Sequence, residues 1–305
     1  MPETLASPKI VNPEAVKKAW APTEPTVIFD TYWRFAVERQ AIFFRRMKGS
    51  PGPVWTEDSI LQAYKFTNAY RASDRVSQYL IREVIYEGDE SPEELFFRIM
   101  LFKLFNKIET WEMLCRELGG VSYSQYSFKA YDNILTKAMN RKQPIYSAAY
   151  IMPSGNTAFG RKRKHRNHLK LIEMMMEDRA HDKIACSSGM AAAFDIMRSY
   201  PTIGDFLAYQ FVTDINYSPL TKFTEMEFVI PGPGAKSGIK KCFNSLGGLS
   251  ESEIILRVAQ RQKEEFARLG LNFQSLGSWP LQLIDCQNLF CETDKYSRMA
   301  HPEAN

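Results

Sequence analysis

The sequence predicts a mainly α-helical protein. Apolar residues recur at helical spacing over most of the chain. Strands and helices do not alternate as a parallel α/β sheet would require, and no repeat of ~20–50 residues is visible. The 305 residues suffice for one large domain or two small ones. With 45% hydrophobic and 24% charged residues, the chain has the balance of an ordinary globular protein and can bury a core without disulfides.

Taken in order, residues 1–28 read as an extended arm, with five prolines among the first 25 positions. From Thr31 to Met47 a helical stripe is formed by Tyr32, Phe35, Ala36, Ile42 and Phe43, and Ser50-Pro51-Gly52-Pro53 closes it. Ser59 to Tyr64 and Ser73 to Tyr86 follow as helices. Ser91, Pro92, Glu93 and Glu94 supply a cap, a first-position proline and first-turn acids. The helix they open runs to Cys115, apolar nearly all round, and is expected to be central to the core. Ser127 to Met139 is helical, Pro144 to Met152 favours a strand, and helices resume at His168 to Asp178 and Gly189 to Met197. The last third is helical between glycine and proline turns. The expected organisation is an arm (1–28), an N-terminal lobe with a basic loop (29–189) and a C-terminal lobe (190–305), with a cleft between the lobes.

No apolar run approaches the ~20 residues of a membrane span, and no basic start with an apolar run marks a secretory leader, so a cytoplasmic protein is expected. The five cysteines are scattered and form no Cys-x-x-Cys pair, which suits reduced thiols. The histidines form no His-Glu-x-x-His motif, and His165 and His168 lie inside a basic run, so neither a metal nor a cofactor is expected. No Gly-x-Ser-x-Gly elbow occurs. No Gly-x-x-x-x-Gly-Lys-[Ser/Thr] loop occurs either, which argues against an ATP-dependent kinase within this sequence. No obligate protein partner is evident.

The net charge is only +4, but it is unevenly spread. Arg161, Lys162, Arg163, Lys164 and Arg166 cluster just after Pro153-Ser154-Gly155-Asn156-Thr157. A second group, Arg39, Arg45, Arg46 and Lys48, is interleaved with Phe43 and Phe44. Such clusters suit a polyanion, because each neutralised phosphate releases counterions.

Three segments carry chemistry. Phe228 to Phe243 (FVIPGPGAKSGIKKCF) has the pattern of a helix-hairpin-helix. Gly232 and Gly234 would let the backbone approach a phosphate, the following helix would offer free N–H groups, and Lys236, Lys240 and Lys241 would add charge. Thr202 to Gln210 is a second such turn, around Gly204. About twenty residues beyond it stand Glu225 and Glu227, the distance at which helix-hairpin-helix glycosylases place a catalytic carboxylate. In Leu281 to Arg298 (LQLIDCQNLFCETDKYSR) an apolar run ends at Asp285, placed to cap a helix. Beside it, Gln287 and Asn288 suit reading a base edge. Tyr64, Phe66, Tyr70 and Arg71 fall in a loop-like stretch suited to stacking on a base.

Together these segments, with TYWRFAVERQAIFFRR, YKFTNAYRASDRVSQYLIREVIY and FLAYQFVTDINYS, resemble the helical domain of DNA-base hypermodification proteins. That family includes the helical domain attached to 5-hydroxymethyluridine DNA kinases and the α-glutamyl/putrescinyl-thymine pyrophosphorylases. It is related to helix-hairpin-helix DNA glycosylases, including bacterial anti-phage members. The resemblance spans Phe29 to His301. It implies a glycosylase-like fold and double-stranded phage DNA with modified bases as the partner.

With no attached kinase domain in the sequence, the expected activity is that of a monofunctional DNA glycosylase acting on a 5-modified, for example glucosylated, pyrimidine. It would turn the base out of the duplex and leave an abasic site. The alternatives are a transferase that replaces an activated 5-hydroxymethyl group with an amine or amino acid, and a non-catalytic module that binds modified DNA. For the glycosylase, an ionised carboxylate would stabilise positive charge on the deoxyribose and activate water. Asp285 is the first candidate, then Glu225 and Glu227. Gln287, Asn288, Tyr70, Arg71 and Gln210 are expected to form the base pocket. Gly232, Gly234, Lys236, Lys240, Lys241 and the basic residues from Arg161 to Arg166 are expected to hold DNA.

Overall fold

The computed structural model describes residues 9–49, 55–148 and 152–304, and these are mainly helical. The chain forms two compact units. The first is assembled from both ends of the sequence, residues 1–74 and 229–305, and the second is the continuous segment 75–228. The division falls elsewhere than the boundary expected between residues 189 and 190.

The first unit begins with α1 (Pro13–Trp20), where an extended arm was expected. Val16 and Trp20 of this helix are buried, and the Trp20 indole N–H donates to Glu265 Oε1 at 2.8 Å. Apolar burial on one face outweighs the prolines, one of which stands at the first helical position, where it is tolerated. A short strand, β1 (Glu24–Pro25), pairs antiparallel with β2 (Phe243–Ser245). α2 (Val27–Met47) is capped by the Thr26 hydroxyl and α3 (Ser59–Ala63) by Asp58. The turn expected at 50–53 lies outside the described residues.

The second unit opens with α4 (Arg75–Tyr79), which passes into a π-helical stretch, Leu80–Ile85, so the helix expected from Ser73 to Tyr86 is not regular. The Arg98 guanidinium satisfies that stretch by donating to the carbonyls of Val84 and Ile85. α5 (Pro92–Phe105) is buried all round, as its composition predicts, but it stops short of Cys115. Asn106 turns into the left-handed region at φ 49°, its side chain accepting from Lys103 Nζ, and α6 (Ile108–Leu118) starts afresh. Asparagine is among the few non-glycine residues that adopt this conformation readily.

α7 (Phe128–Asn140), α8 (Asn156–Phe159), α9 (Lys164–Glu177), α10 (Ala180–Ala185), α11 (Met190–Arg198) and α12 (Asp205–Ile215) complete the second unit. Residues 144–148 and 152 form no strand. Lys103 in the middle of α5 is buried and pairs with Asp214 Oδ2 of α12 at 3.0 Å. Such a pair orders the packing, since loss of either partner strands a buried charge.

The chain returns to the first unit with α13 (Pro233–Cys242), α14 (Glu251–Gln260), α15 (Gln262–Arg268) and α16 (Leu283–Ala300). α2, α13 and α16 build its core around linked aromatic rings: Trp20 with Phe29 at 4.9 Å, Trp33 with Phe266 at 5.0 Å and Tyr32 with Phe290 at 4.5 Å.

Candidate functional site

The glycine- and proline-rich segment starts a helix as expected, with Gly232 as N-cap and Pro233 at the first helical position, but residues 216–232 before it form no helix, so the first arm of the expected hairpin is not seen. Its later glycines serve a different end from phosphate approach. A Cβ on Gly234 would lie 2.4 Å from Cys291 Sγ, and one on Gly238 would lie 2.0 Å from the carbonyl oxygen of Phe290. These two glycines, four residues apart on one face, let α13 lie directly against α16. Lys236 and Lys240 are exposed. Lys241 instead reaches Asp294 Oδ1 at 3.2 Å and is half-buried against α16. Asp294 also accepts from Ser237 Oγ (2.7 Å) and Arg298 (2.5 Å). Burial alone would raise its carboxyl, but the bonds from Ser237, Arg298 and Lys241 hold it below the usual carboxylate range.

The N-terminus of α16 gathers a second set of polar groups. Asp285 stands at the third helical position, not at the cap. The cap is Gln282, and the two make a reciprocal capping box. Asp285 Oδ2 accepts the Gln282 N–H at 2.9 Å, and Oδ1 accepts the Arg71 N–H at 2.7 Å. The carboxylate is buried, and so is Arg71. Tyr70 beside it is buried too, donating its hydroxyl to the Trp279 carbonyl at 2.6 Å, and burial raises its pKa. Gln287 is buried with Nε2 on Asn288 Oδ1 (3.1 Å), while its Oε1 has no hydrogen-bond partner. Asp285, Tyr70 and Arg71 are therefore brought together, and Gln287 and Asn288 stand on the next turn of the same helix.

Further polar residues extend this cluster, and the sequence did not single them out as a site. Arg39 was expected to be a surface cation, yet it is buried, donating to the Phe66 and Thr67 carbonyls and to Asn68 Oδ1. Asp74 accepts the Asn68 N–H at 2.8 Å. Burial pushes its carboxyl up to about 6, against the pull of Asn68, Arg71 and Arg39. Glu292 accepts the Thr67 N–H at 3.3 Å and pairs with Lys295 at 2.6 Å. Of the other two arginines in that group, Arg45 pairs with Glu38 at 2.8 Å and Arg46 lies 4.3 Å over the Trp55 ring.

The remaining expected residues lie in the second unit. Glu227 closes the start of α11, its Oε1 accepting the Met190 N–H at 2.8 Å where Gly189 leaves room for it. Glu225 is in the same connecting segment, and Gln210 is buried in α12. Neither glutamate belongs to the unit that holds Asp285. In the basic run, Arg161 and Lys162 are exposed, whereas the others have internal partners. Arg163 donates to Asn140, Arg166 pairs with Asp132 at 2.7 Å and Lys164 lies over the Tyr146 ring. His165 joins Asp132 at 2.8 Å, and His168 donates its Nε2–H to the Pro153 carbonyl and accepts the Tyr146 hydroxyl at Nδ1. Burial lowers His168 to about 4, so it is neutral near pH 7. Among the described residues no group of three or more His, Cys, Asp or Glu could hold a metal ion, and no helix is long and apolar enough to cross a membrane.

A mainly helical chain with exposed lysines on one helix and a buried carboxylate at the start of another is compatible with several activities. Comparison with known proteins narrows it. The family model described as "5-hmdU DNA kinase, helical domain" matches residues 26–305, and the chain belongs to that family. A relative named 5-hmdU DNA kinase, from Bacillus phage SP10, is 26% identical over 313 residues. The alignment covers 95% of this chain and 48% of that protein, so the chain spans about half of its relative's length. No solved structure matches.

This membership overturns the expected activity. The family and its relative carry the name of a kinase, a phosphotransferase, and not that of a hydrolytic glycosylase. The same finding gives no support to the amine or amino-acid transferase or to the non-catalytic module. The sequence motifs had marked a modified-pyrimidine DNA family correctly. A kinase domain and a phosphate-binding loop missing from this sequence carry little weight against a kinase, because the chain spans about half of its relative's length.

Proposed function

We propose that this chain serves phosphoryl transfer to the hydroxymethyl group of 5-hydroxymethyldeoxyuridine in DNA, as the helical domain that engages the DNA and sets the acceptor. The match to the kinase helical domain across residues 26–305 carries this reading. Phosphoryl transfer depends chiefly on positioning and charge stabilisation, which lets the acceptor side and the donor side reside in different parts of an enzyme.

Lys236 and Lys240, exposed on α13 behind the Gly232 cap, hold the DNA backbone, and in the second unit Arg161 and Lys162 are further exposed cations suited to phosphate. Tyr70, Arg71, Asp74 and Asp285 form the acceptor side. Asp285, with both oxygens on backbone N–H groups, is a positioning residue that fixes the Tyr70–Arg71 segment. Asp74, raised to about 6 among Arg39, Asn68 and Arg71, suits transient acceptance of the hydroxyl proton.

The test is to incubate DNA containing 5-hydroxymethyldeoxyuridine with the protein, the donor-side part of a 5-hmdU DNA kinase and a γ-labelled nucleoside triphosphate, then to weigh the digested nucleosides. A gain of one phosphate on the modified nucleoside is expected, with tighter binding of that DNA than of plain DNA. Failure to bind either DNA, or release of a free base in place of a phosphorylated nucleoside, overturns the reading.

A further inference from the structure

We infer that Trp279 is a stacking platform for an unpaired base of the DNA, and that the recess beside it receives the rest of that nucleotide. The inference rests on the DNA-kinase reading and adds a residue and a subsite to it.

Trp279 is 69% exposed, whereas Trp20 and Trp33 are fully buried and Trp111 nearly so. An indole of this size in water is unusual unless something covers it in use. The loop that carries it is also tied down from several directions. The Tyr70 hydroxyl donates to the Trp279 carbonyl at 2.6 Å, and the Trp279 N–H donates to the Leu276 carbonyl at 3.2 Å. Gln282 Nε2 holds the Pro280 carbonyl at 2.9 Å. The buried Gln262 amide both accepts from the Leu281 N–H (2.9 Å) and donates to the Leu281 carbonyl (3.0 Å). Gly277, at φ +60°, makes the turn. An aromatic ring exposed on a fixed loop loses little entropy when a flat partner lands on it.

The residues on either side of the indole, Ser278 and Pro280, line a recess of about 390 Å³. Its wall includes the Phe266–Phe273 pair, stacked at 4.7 Å and 5°, and its other side chains are mainly polar, with Asn272 and Lys263 among them. Lys263 is exposed and has no ion-pair partner among the described residues, so it is available to a phosphate. An aromatic face, amide and hydroxyl groups and one unpaired cation match a nucleotide better than a protein surface, which would favour apolar walls. The mechanical link to the acceptor side is short. Tyr70 holds the Trp279 carbonyl, and the next residue, Arg71, holds Asp285.

The experiment compares the full chain with Trp279→Leu, Trp279→Phe and Lys263→Ala. It uses an oligonucleotide containing 5-hydroxymethyldeoxyuridine, single-stranded and fully paired. Trp279→Leu is expected to weaken single-strand binding about tenfold, within the range for loss of one stacked base. It should change duplex binding little and abolish most of the tryptophan quenching seen on adding single strands. Trp279→Phe should restore most of the affinity, and Lys263→Ala should lower the salt dependence by about one phosphate contact. Unchanged affinity and quenching in Trp279→Leu, with DNA still bound through Lys236 and Lys240, overturns the platform and leaves the DNA-kinase reading standing. A wild-type chain that binds no DNA overturns both. A wild-type dimer made monomeric by Trp279→Leu assigns the indole to a contact between copies and overturns the platform as well.

Discussion

The two cationic segments look alike in the sequence and behave differently once folded. On α13 Lys240 and Lys241 sit in the last turn, where the helix dipole welcomes positive charge, and Lys241 is tied to Asp294. At the start of α9 the cations crowd the positive end of the dipole, and the first turn holds no acid to offset them. Asp132 neutralises Arg166, but Arg161 and Lys162 stay exposed. A helix whose charges agree with its dipole is stable as it stands, whereas one whose charges oppose it is relieved only when an anion arrives. The contrast separates Lys241, tied into the fold, from Lys236, Lys240, Arg161 and Lys162, which are left exposed for a ligand.

The largest way to break α13 does not involve charge. Gly238→Ala forces a Cβ onto the Phe290 carbonyl and should lower stability by at least ~3 kcal/mol in denaturant melts. Gly204→Ala, at an ordinary φ with open space around it, should cost under ~1 kcal/mol. Next, Asp294→Ala removes the carboxylate that half-buried Lys241 and Ser237 share and should cost ~3 kcal/mol. Because this carboxyl is held low, its contribution is present above the unfolded pKa near 3.8 and is lost as pH falls through the folded value. Asp294→Asn should flatten that acid limb.

The two exposed pairs sharpen the comparison. Changing Lys236 and Lys240 together to alanine should weaken DNA binding about tenfold, reduce the salt slope by about two and leave the melting midpoint nearly unchanged. Changing Arg161 and Lys162 together should also weaken binding, but it should raise stability by ~0.3–1 kcal/mol by relieving the helix start. A loss of stability there would refute the electrostatic distinction. Asp74 contrasts with Asp294 because burial raises it. The stability linked to its protonation is complete below pH 3.8 and lost as pH rises through about 6. Asp74→Asn should remove that slope from a series of melts between pH 4 and 7.

Much of the helix layout was readable from caps and periodicity. Asp58, Ser127 and Ser250 cap the helices they precede, and Pro92, Glu93 and Glu94 open α5 as expected, although the Ser91 side chain makes no capping hydrogen bond. The break at Asn106 was hidden because the residues on both sides of it are apolar and helix-compatible. Burial of Arg39 had a signal: it lies on the stripe of Tyr32, Phe35 and Ala36, three or four residues apart. Its charge was given more weight than its position. Gly234 and Gly238 show a deeper limit. A missing Cβ marks close approach, but the local sequence does not say whether a phosphate or another helix approaches. For the site, Asp285 with Gln287 and Asn288 could be picked out from an apolar run ending in a polar helix start. Tyr70 and Arg71 were marked by their loop-like stretch as well, but their contact with Asp285 and the part played by Asn68 and Asp74 were not, because loop contacts across more than two hundred residues leave no periodic trace.

The first unit's two-part construction has a consequence for synthesis. Trp20 and Phe29 are made early, but the Glu265 and Phe266 that complete their core, and all of α16, emerge more than two hundred residues later. The continuous segment 75–228 can fold as it leaves the ribosome, while the opening residues must wait with apolar rings uncovered. At about 5–20 residues per second, that wait lasts some ten seconds or more. The amino-terminal stretch through Met47 is therefore where a nascent chain most needs a chaperone, and where slowed elongation would do most harm.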